Sequence, residues 1–232
     1  MAPQLLAVAH GSRNDRATAA VRDIVNDVRL RRPESSAVAC FLDHANPRLR
    51  DVVAKLDSPA VVVPLLLTAA YHSDIDIPAQ LKGAAFPVVQ SQVLGPDPLL
   101  LDALERRLRE VGVAAGDRDV GVVLGAAGSS DPRAIISIIG FAQRWAQRGW
   151  WAVEPAFAAS AHTPTAVEAV HTLRARGAPR VAVATYLLAP GLFADHLRAA
   201  PADAVSAPLG AAPEVSEVIL ARYDAASAAP RG

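Results

Sequence analysis

The chain is short of cysteine, lysine and net charge, and the first and last of these shortages each close off a class of protein. A single cysteine, Cys40, rules out an internal disulfide framework. Basic and acidic residues balance at 23 each, so the basic excess that serves nucleic-acid binding is missing and no nucleic-acid partner is expected. Lys55 and Lys82 are the only lysines. No run of about 18 apolar residues occurs, so no membrane span and no membrane partner are expected. Met1-Ala2-Pro3-Gln4 lacks the charged start of a signal peptide and runs straight into a strand-like segment. A cytoplasmic protein is the expectation. Neither a GxxxxGK[ST] phosphate loop nor a G-x-S-x-G nucleophile elbow is present, although Ser12 and His10 would supply two members of a hydrolytic triad.

What the chain does have is apolar material: 52% of its 232 residues are hydrophobic, enough for a sizeable core. Short β-rich runs alternate with helical patterns. Strands are expected at Leu5–Ala9, Ala37–Leu42, Ala60–Leu67 and Val88–Ser91, and helices at about Asp15–Arg31, Pro47–Leu56 and Pro98–Val111. Continuous apolar strands between amphipathic helices indicate a parallel sheet covered on both faces.

The second half repeats the first. At an offset of 117 residues Gly11 falls on Gly128 and Pro47 on Pro164, and the strand at Val181–Leu188 echoes that at Val61–Leu67. The fold class is therefore α/β, as two similar lobes, each with a parallel sheet of about four strands flanked by helices. The lobe boundary is placed at Gly116-Asp117, giving 1–116 and 117–232. The duplication can itself supply a pseudo-dimer, so a monomer is expected.

Ligands of open parallel sheets bind outside the carboxyl ends of the strands. In the first half those ends carry His10, Asp43 with His44, and Tyr71-His72. Taken singly, each has a plain structural reading: a loop histidine ordering its turn, or an Asx turn before a helix, with Asn46 a rival cap. Together, two imidazoles and a carboxylate at three adjacent strand ends suit Fe²⁺, Co²⁺ or Ni²⁺. The duplication is an internal control. His10 maps to Ala127, Asp43 to Ser160, and His72 to Phe193 or its neighbour. The scaffold is kept in both halves, the polar ligands in one. His162, His171 and His196 are read as structural or exposed, Trp145, Trp150 and Trp151 as packing residues, and Cys40 as inert. His44, next to Asp43, is a candidate supporting partner for that carboxylate, but in an extended segment it would point the other way.

The motifs Ala9-His10-Gly11-Ser12-Arg13, Phe41-Leu42-Asp43-His44-Ala45-Asn46-Pro47 and Val63-Pro64-Leu65-Leu66-Leu67 through His72 to Asp76-Ile77-Pro78 resemble the sirohydrochlorin chelatase family, in its long two-repeat form. The resemblance implies a lyase that inserts a divalent metal, Fe²⁺ or Co²⁺, into a sirohydrochlorin-type tetrapyrrole with no organic cofactor, the metal being a substrate. It implies His10 and His72 as the catalytic and metal-binding pair. Asp43 stands where the family commonly has glutamate, and Ala70-Tyr71 where it has a small glycine. Gly11, Ser12, Arg13 and Tyr71 are the candidate substrate-binding residues: the helix N-terminus and Arg13 favour the substrate's carboxylates, and Tyr71 is placed to narrow the pocket or stack on the macrocycle. Iron is favoured because the long form resembles the enzymes of sirohaem synthesis. The alternatives are a cobaltochelatase, a non-catalytic tetrapyrrole or metal carrier, and a phosphate-ester enzyme that would not need His72.

Overall fold

A computed structural model describes residues 2–69, 72–159 and 163–228. The first strand, β1 (Gln4–Ala9), leads into α1 (Asp15–Arg31), whose buried residues Ala17, Thr18, Val21, Ile24, Val25 and Val28 fall at helical spacing on one stripe. Then follow β2 (Val38–Phe41), α2 (Leu49–Val53), β3 (Ala60–Pro64), a π-helical turn (His72–Asp76), α3 (Ile77–Leu81) and β4 (Val88–Gln90). These strands form one parallel sheet in the order β2-β1-β3-β4. Leu6, Val8, Cys40, Val62 and Ala60 share one face with Leu49, Val53 and Ile77 of α2 and α3. Each fully buried aliphatic side chain contributes about 1.5–3 kcal/mol over an exposed one. Burial also pushes the Cys40 thiol up to about 12, which leaves it protonated and inert.

Strand β3 tolerates Pro64 as its last residue. Leu65 N–H bonds back to Val8 O on β1, so the proline nitrogen would face β4. There the pairing has already ended at Gln90 opposite Val62, and no donor is missed. The strand is shorter than the expected Ala60–Leu67, and α2 likewise occupies only the centre of the expected Pro47–Leu56 helix.

The second half runs through α4 (Pro98–Arg109), β5 (Val120–Ala126), α5 (Pro132–Ala146), β6 (Ala152–Phe157), α6 (Ala166–Ala175), β7 (Arg180–Thr185), α7 (Leu192–Arg198), β8 (Ala204–Val205) and α8 (Pro213–Ala228). Its parallel sheet has the order β6-β5-β7-β8, the topology of the first. The repetition extends to single hydrogen bonds. Asn14 and Asp131 cap α1 and α5 by accepting from the N–H two residues on, and each donates its own N–H to a serine hydroxyl, Ser12 or Ser129. Trp145 and Trp150 are buried and meet edge to face at 5.6 Å, as packing residues.

The repeats in sequence and the compact units in space do not coincide. One unit is Met1–Leu99 with Gly210–Gly232, the other Leu100–Leu209. The boundary is expected at Gly116-Asp117, whereas tertiary contacts group most of α4 with the second sheet and α8 with the first. From α8, Arg222 donates to Val93 O, Leu94 O and Asp97, Tyr223 OH to Pro3 O at 2.6 Å, and Asp224 pairs with Arg32. From α4, Glu105 accepts Trp145 Nε1–H at 2.9 Å, and Arg107 donates to Leu209 O. Among the described residues no helix is long and apolar enough to cross a membrane.

Candidate active site

The site begins where β1 ends. Because β1 lies between β2 and β3 and all three run parallel, the residues after them gather at one edge of the first sheet. The ladder continues past the strands: Leu42 N–H bonds to Ala9 O at 3.0 Å, and Asp43 N–H to His10 O at 2.8 Å. His10 and Asp43 are thereby fixed side by side at backbone level, and the His10 side chain is exposed.

Gly11 holds this junction together. Its φ is +97°, and a Cβ placed on it would stand 1.7 Å from the carbonyl oxygen of Asp43. Only glycine supplies both the left-handed backbone and the room. Ser12 accepts Asn14 N–H through Oγ at 3.0 Å, and Arg13 is exposed just before α1. The helix opens at Asn14-Asp15, as expected, so Gly11 and Ser12 stand ahead of its N-terminus rather than in it.

Asp43 is engaged. Its Oδ1 accepts His44 N–H at 2.8 Å and Arg48 Nη1–H at 2.5 Å, and Oδ2 lies 3.5 Å from His44 Nε2. The His44 amide, and after it the Arg48 guanidinium, hold the carboxyl below the usual carboxylate range. Asn46 does not cap α2: the residue at the cap position is Arg48, which makes no side-chain cap bond, and Asn46 O accepts from Arg22.

The histidine expected to point away does not. His44 has φ +59°, a left-handed backbone conformation rather than an extended one. The turn brings its ring parallel to that of His10, with centroids 6.2 Å apart and planes 8° from parallel. Alternation of side chains holds only along an extended strand. The available signal was residue type: His, with Asn and Asp, is enriched at positive φ, and an aspartate just before it can tie down its amide.

At the end of β3 the π-helical turn places the backbone of His72 on the same edge, but its side chain, and all of Tyr71, lie outside the described residues. The turn is tied to β4 by Gln90 Nε2–H donating to Ser73 O at 2.8 Å.

The hydrogen bonds of the two copies correspond. Ala158 N–H to Ala126 O and Ala159 N–H to Ala127 O repeat the pair at Leu42 and Asp43. His10 therefore corresponds to Ala127, as the offset suggested, but Asp43 corresponds to Ala159, not Ser160. The second loop carries one more residue before its proline: Phe41 N–H reaches Pro47 O, whereas Phe157 N–H reaches Pro164 O. Leu65 N–H to Val8 O is matched by Tyr186 N–H to Gly125 O, an offset that takes His72 to Phe193. In the second unit His171 is exposed, and His196 is bound through Nδ1 to Ala158 O at 2.9 Å. His162 and Ser160 lie outside the described residues.

The family model CbiX matches residues 4–111 and again 121–226, the two repeats. A sirohydrochlorin cobaltochelatase of Priestia megaterium is 28% identical over 206 residues, covering 83% of this chain and 66% of that protein. The chain thus spans just under two thirds of that relative's length. A sirohydrochlorin cobaltochelatase of Methanococcoides burtonii is 28% identical over 124 residues, 46% of this chain and 95% of that one, a protein the size of one repeat. Among solved structures, SirB from Bacillus subtilis with Fe³⁺ superposes with a TM-score of 0.76 at 23% identity, covering 98% of this chain and 96% of that one. CbiX, described as the terminal enzyme of sirohaem biosynthesis in denitrifying bacteria, superposes with a TM-score of 0.69 at 19% identity over 96% of this chain and 99% of that one. With its doubled sheet, its one-sided set of polar strand ends and a family match across both repeats, the chain belongs to the CbiX family of sirohydrochlorin chelatases.

Proposed function

We propose that this protein inserts a divalent metal into sirohydrochlorin at the carboxyl edge of its first sheet. The observation that carries the reading is the one-sided chemistry of a duplicated scaffold: His10, Asp43 and His72 on one copy, Ala127, Ala159 and Phe193 on the other.

Insertion exchanges two pyrrole N–H protons for one M²⁺. A base must take the protons while the ion sheds its water. A neutral imidazole does either near pH 7. His10 and His72 are assigned metal delivery and proton removal. Asp43, neutralised in part by Arg48, offsets the ion's charge and orients its neighbours rather than binding the ion alone. Arg13, exposed before α1, pairs with a substrate carboxylate. Tyr71 borders the macrocycle, and Gly11 and Ser12 shape the loop beneath it.

Iron is the favoured metal, on the resemblance of the long two-repeat form to the enzymes of sirohaem synthesis; SirB chelatases of the same form are known with Fe³⁺ and with cobalt. Cobalt is the second reading, favoured by the relatives from Priestia megaterium and Methanococcoides burtonii, both named as cobaltochelatases. The test is anaerobic incubation with sirohydrochlorin and Fe²⁺ or Co²⁺, singly and in competition, followed by absorbance. Catalytic turnover is expected, with iron preferred in competition. A single stoichiometric round of tight product binding would show a carrier instead.

A further inference from the structure

His44 is the one imidazole near the site that this assignment leaves without work, and its geometry is specific. Its ring stands parallel to that of His10 with centroids 6.2 Å apart. In-plane N–metal bonds of about 2 Å let two imidazoles share one ion with ring centres no more than about 6.5 Å apart, and closer in a tetrahedral arrangement. The stacked pair stands at the outer edge of that reach, and the His44 ring closes on an ion by turning edge-on and moving inward. The ring is held there by construction. The residue's left-handed backbone turns it toward His10, and its amide is anchored on Asp43 Oδ1. The side chain keeps 36% of its surface exposed, so it can pivot toward an ion arriving from solvent.

The neighbouring carboxylate is poorly placed for the same task. Asp43 Oδ1 already accepts two hydrogen bonds, one from a guanidinium whose positive charge repels a divalent cation. Arg48 and Asp43 together thus act as a clamp on the loop that presents His44.

Resting on the chelatase reading above, we propose that His10 and His44 form a two-imidazole receiving site that binds the incoming divalent ion before the tetrapyrrole takes it. Asp43 is then a positioning residue for His44. Imidazole donors suit cobalt, nickel and iron better than the harder magnesium or manganese, so the pair would also screen the ion admitted.

The test is direct Co²⁺ binding to the full chain without tetrapyrrole, read by the cobalt d–d absorption and by calorimetry. Because residue 44 is left-handed, the variants are His44→Asn and His44→Gly, both of which tolerate that backbone. Each should weaken Co²⁺ binding by at least the about 10- to 100-fold that losing even a residue supporting a ligand costs, at an unchanged melting temperature, raise the KM for metal, and perturb the cobalt spectrum as His10→Ala does. Unchanged Co²⁺ affinity and spectrum in both His44 variants, with binding lost in His10→Ala, overturns the proposal and leaves the chelatase reading standing. Unchanged binding in His10→Ala as well brings down the site assignment itself.

Discussion

At the scale of single residues, Gly11 shows how the backbone rather than a side chain builds the site. The resemblance suggested it as a substrate contact, and its surroundings show a second demand, the Asp43 carbonyl 1.7 Å from any added Cβ. Gly11→Ala is expected to cost more than the about 1–3 kcal/mol of backbone strain alone and to abolish insertion by displacing Asp43 and His44. Gly83→Ala is the control: φ is similar at +82°, but nothing lies within 4 Å. It should show backbone strain alone, about 1–2 kcal/mol, with turnover kept. Thermal melts and turnover on both variants check this. An active Gly11→Ala protein would mean that the junction is looser than described. Asp43 offers a second check. Its folded value is lowered, so the order it gives the His44 loop is complete above the ordinary carboxylate range near pH 3.9 and is lost as pH falls through the lowered value. The His44 amide resonance should therefore titrate below about pH 3.9, and Arg48→Met should move that midpoint upward. A midpoint at or above the ordinary value in the parent protein would remove the clamp from the account.

At the scale of elements, local chemistry wrote some parts plainly. The helix expected at about Asp15–Arg31 is α1 with those bounds, because Asn14 caps it and its apolar residues keep a single helical stripe. The alternation of β1 and β3 with helices gave the parallel sheet, and the repeat gave its copy. Three features were less legible. Strand β3 stops at a proline whose tolerance depends on how short β4 is. Helix α2 starts late because Pro47 returns its carbonyl to Phe41 across the loop, which no local propensity encodes. The reading of His44 as pointing away failed because a periodicity rule was carried three residues beyond β2, into a left-handed turn where it does not hold. Of the candidate site, the backbone proximity of His10 and Asp43 was readable from strand ends. The ring partner of His10 and the engagement of Asp43 by Arg48 were not, since both depend on a turn rather than on a pattern.

At the scale of the whole molecule, the repeat and the folding unit part company. Helix α8 ends the second repeat yet is counted with the first sheet, fastened by Arg222 to Val93 O, Leu94 O and Asp97. A repeat is visible in sequence, but which sheet its last helix covers is decided by packing. Arg222→Ala is expected to cost about 1.5–3 kcal/mol and to lower hydrogen-exchange protection in β1, β3 and β4 while sparing β5 and β7. Deprotection of β5 and β7 instead would restore a simple division at the repeat boundary. The duplication also makes the functional claim sharp, since one molecule carries its own control. The most direct measurement is anaerobic metal insertion by the parent chain, His10→Ala and His196→Ala, each paired with a thermal melt. His10→Ala should lose about 10²- to 10⁴-fold in rate with its melting temperature unchanged, because an exposed strand-end imidazole fills no core. His196→Ala should lose only the stability of its hydrogen bond to Ala158 O, about 0.5–1.5 kcal/mol, and keep its turnover. Equal losses of activity in the two variants at unchanged melting temperature would contradict a single site on the first sheet.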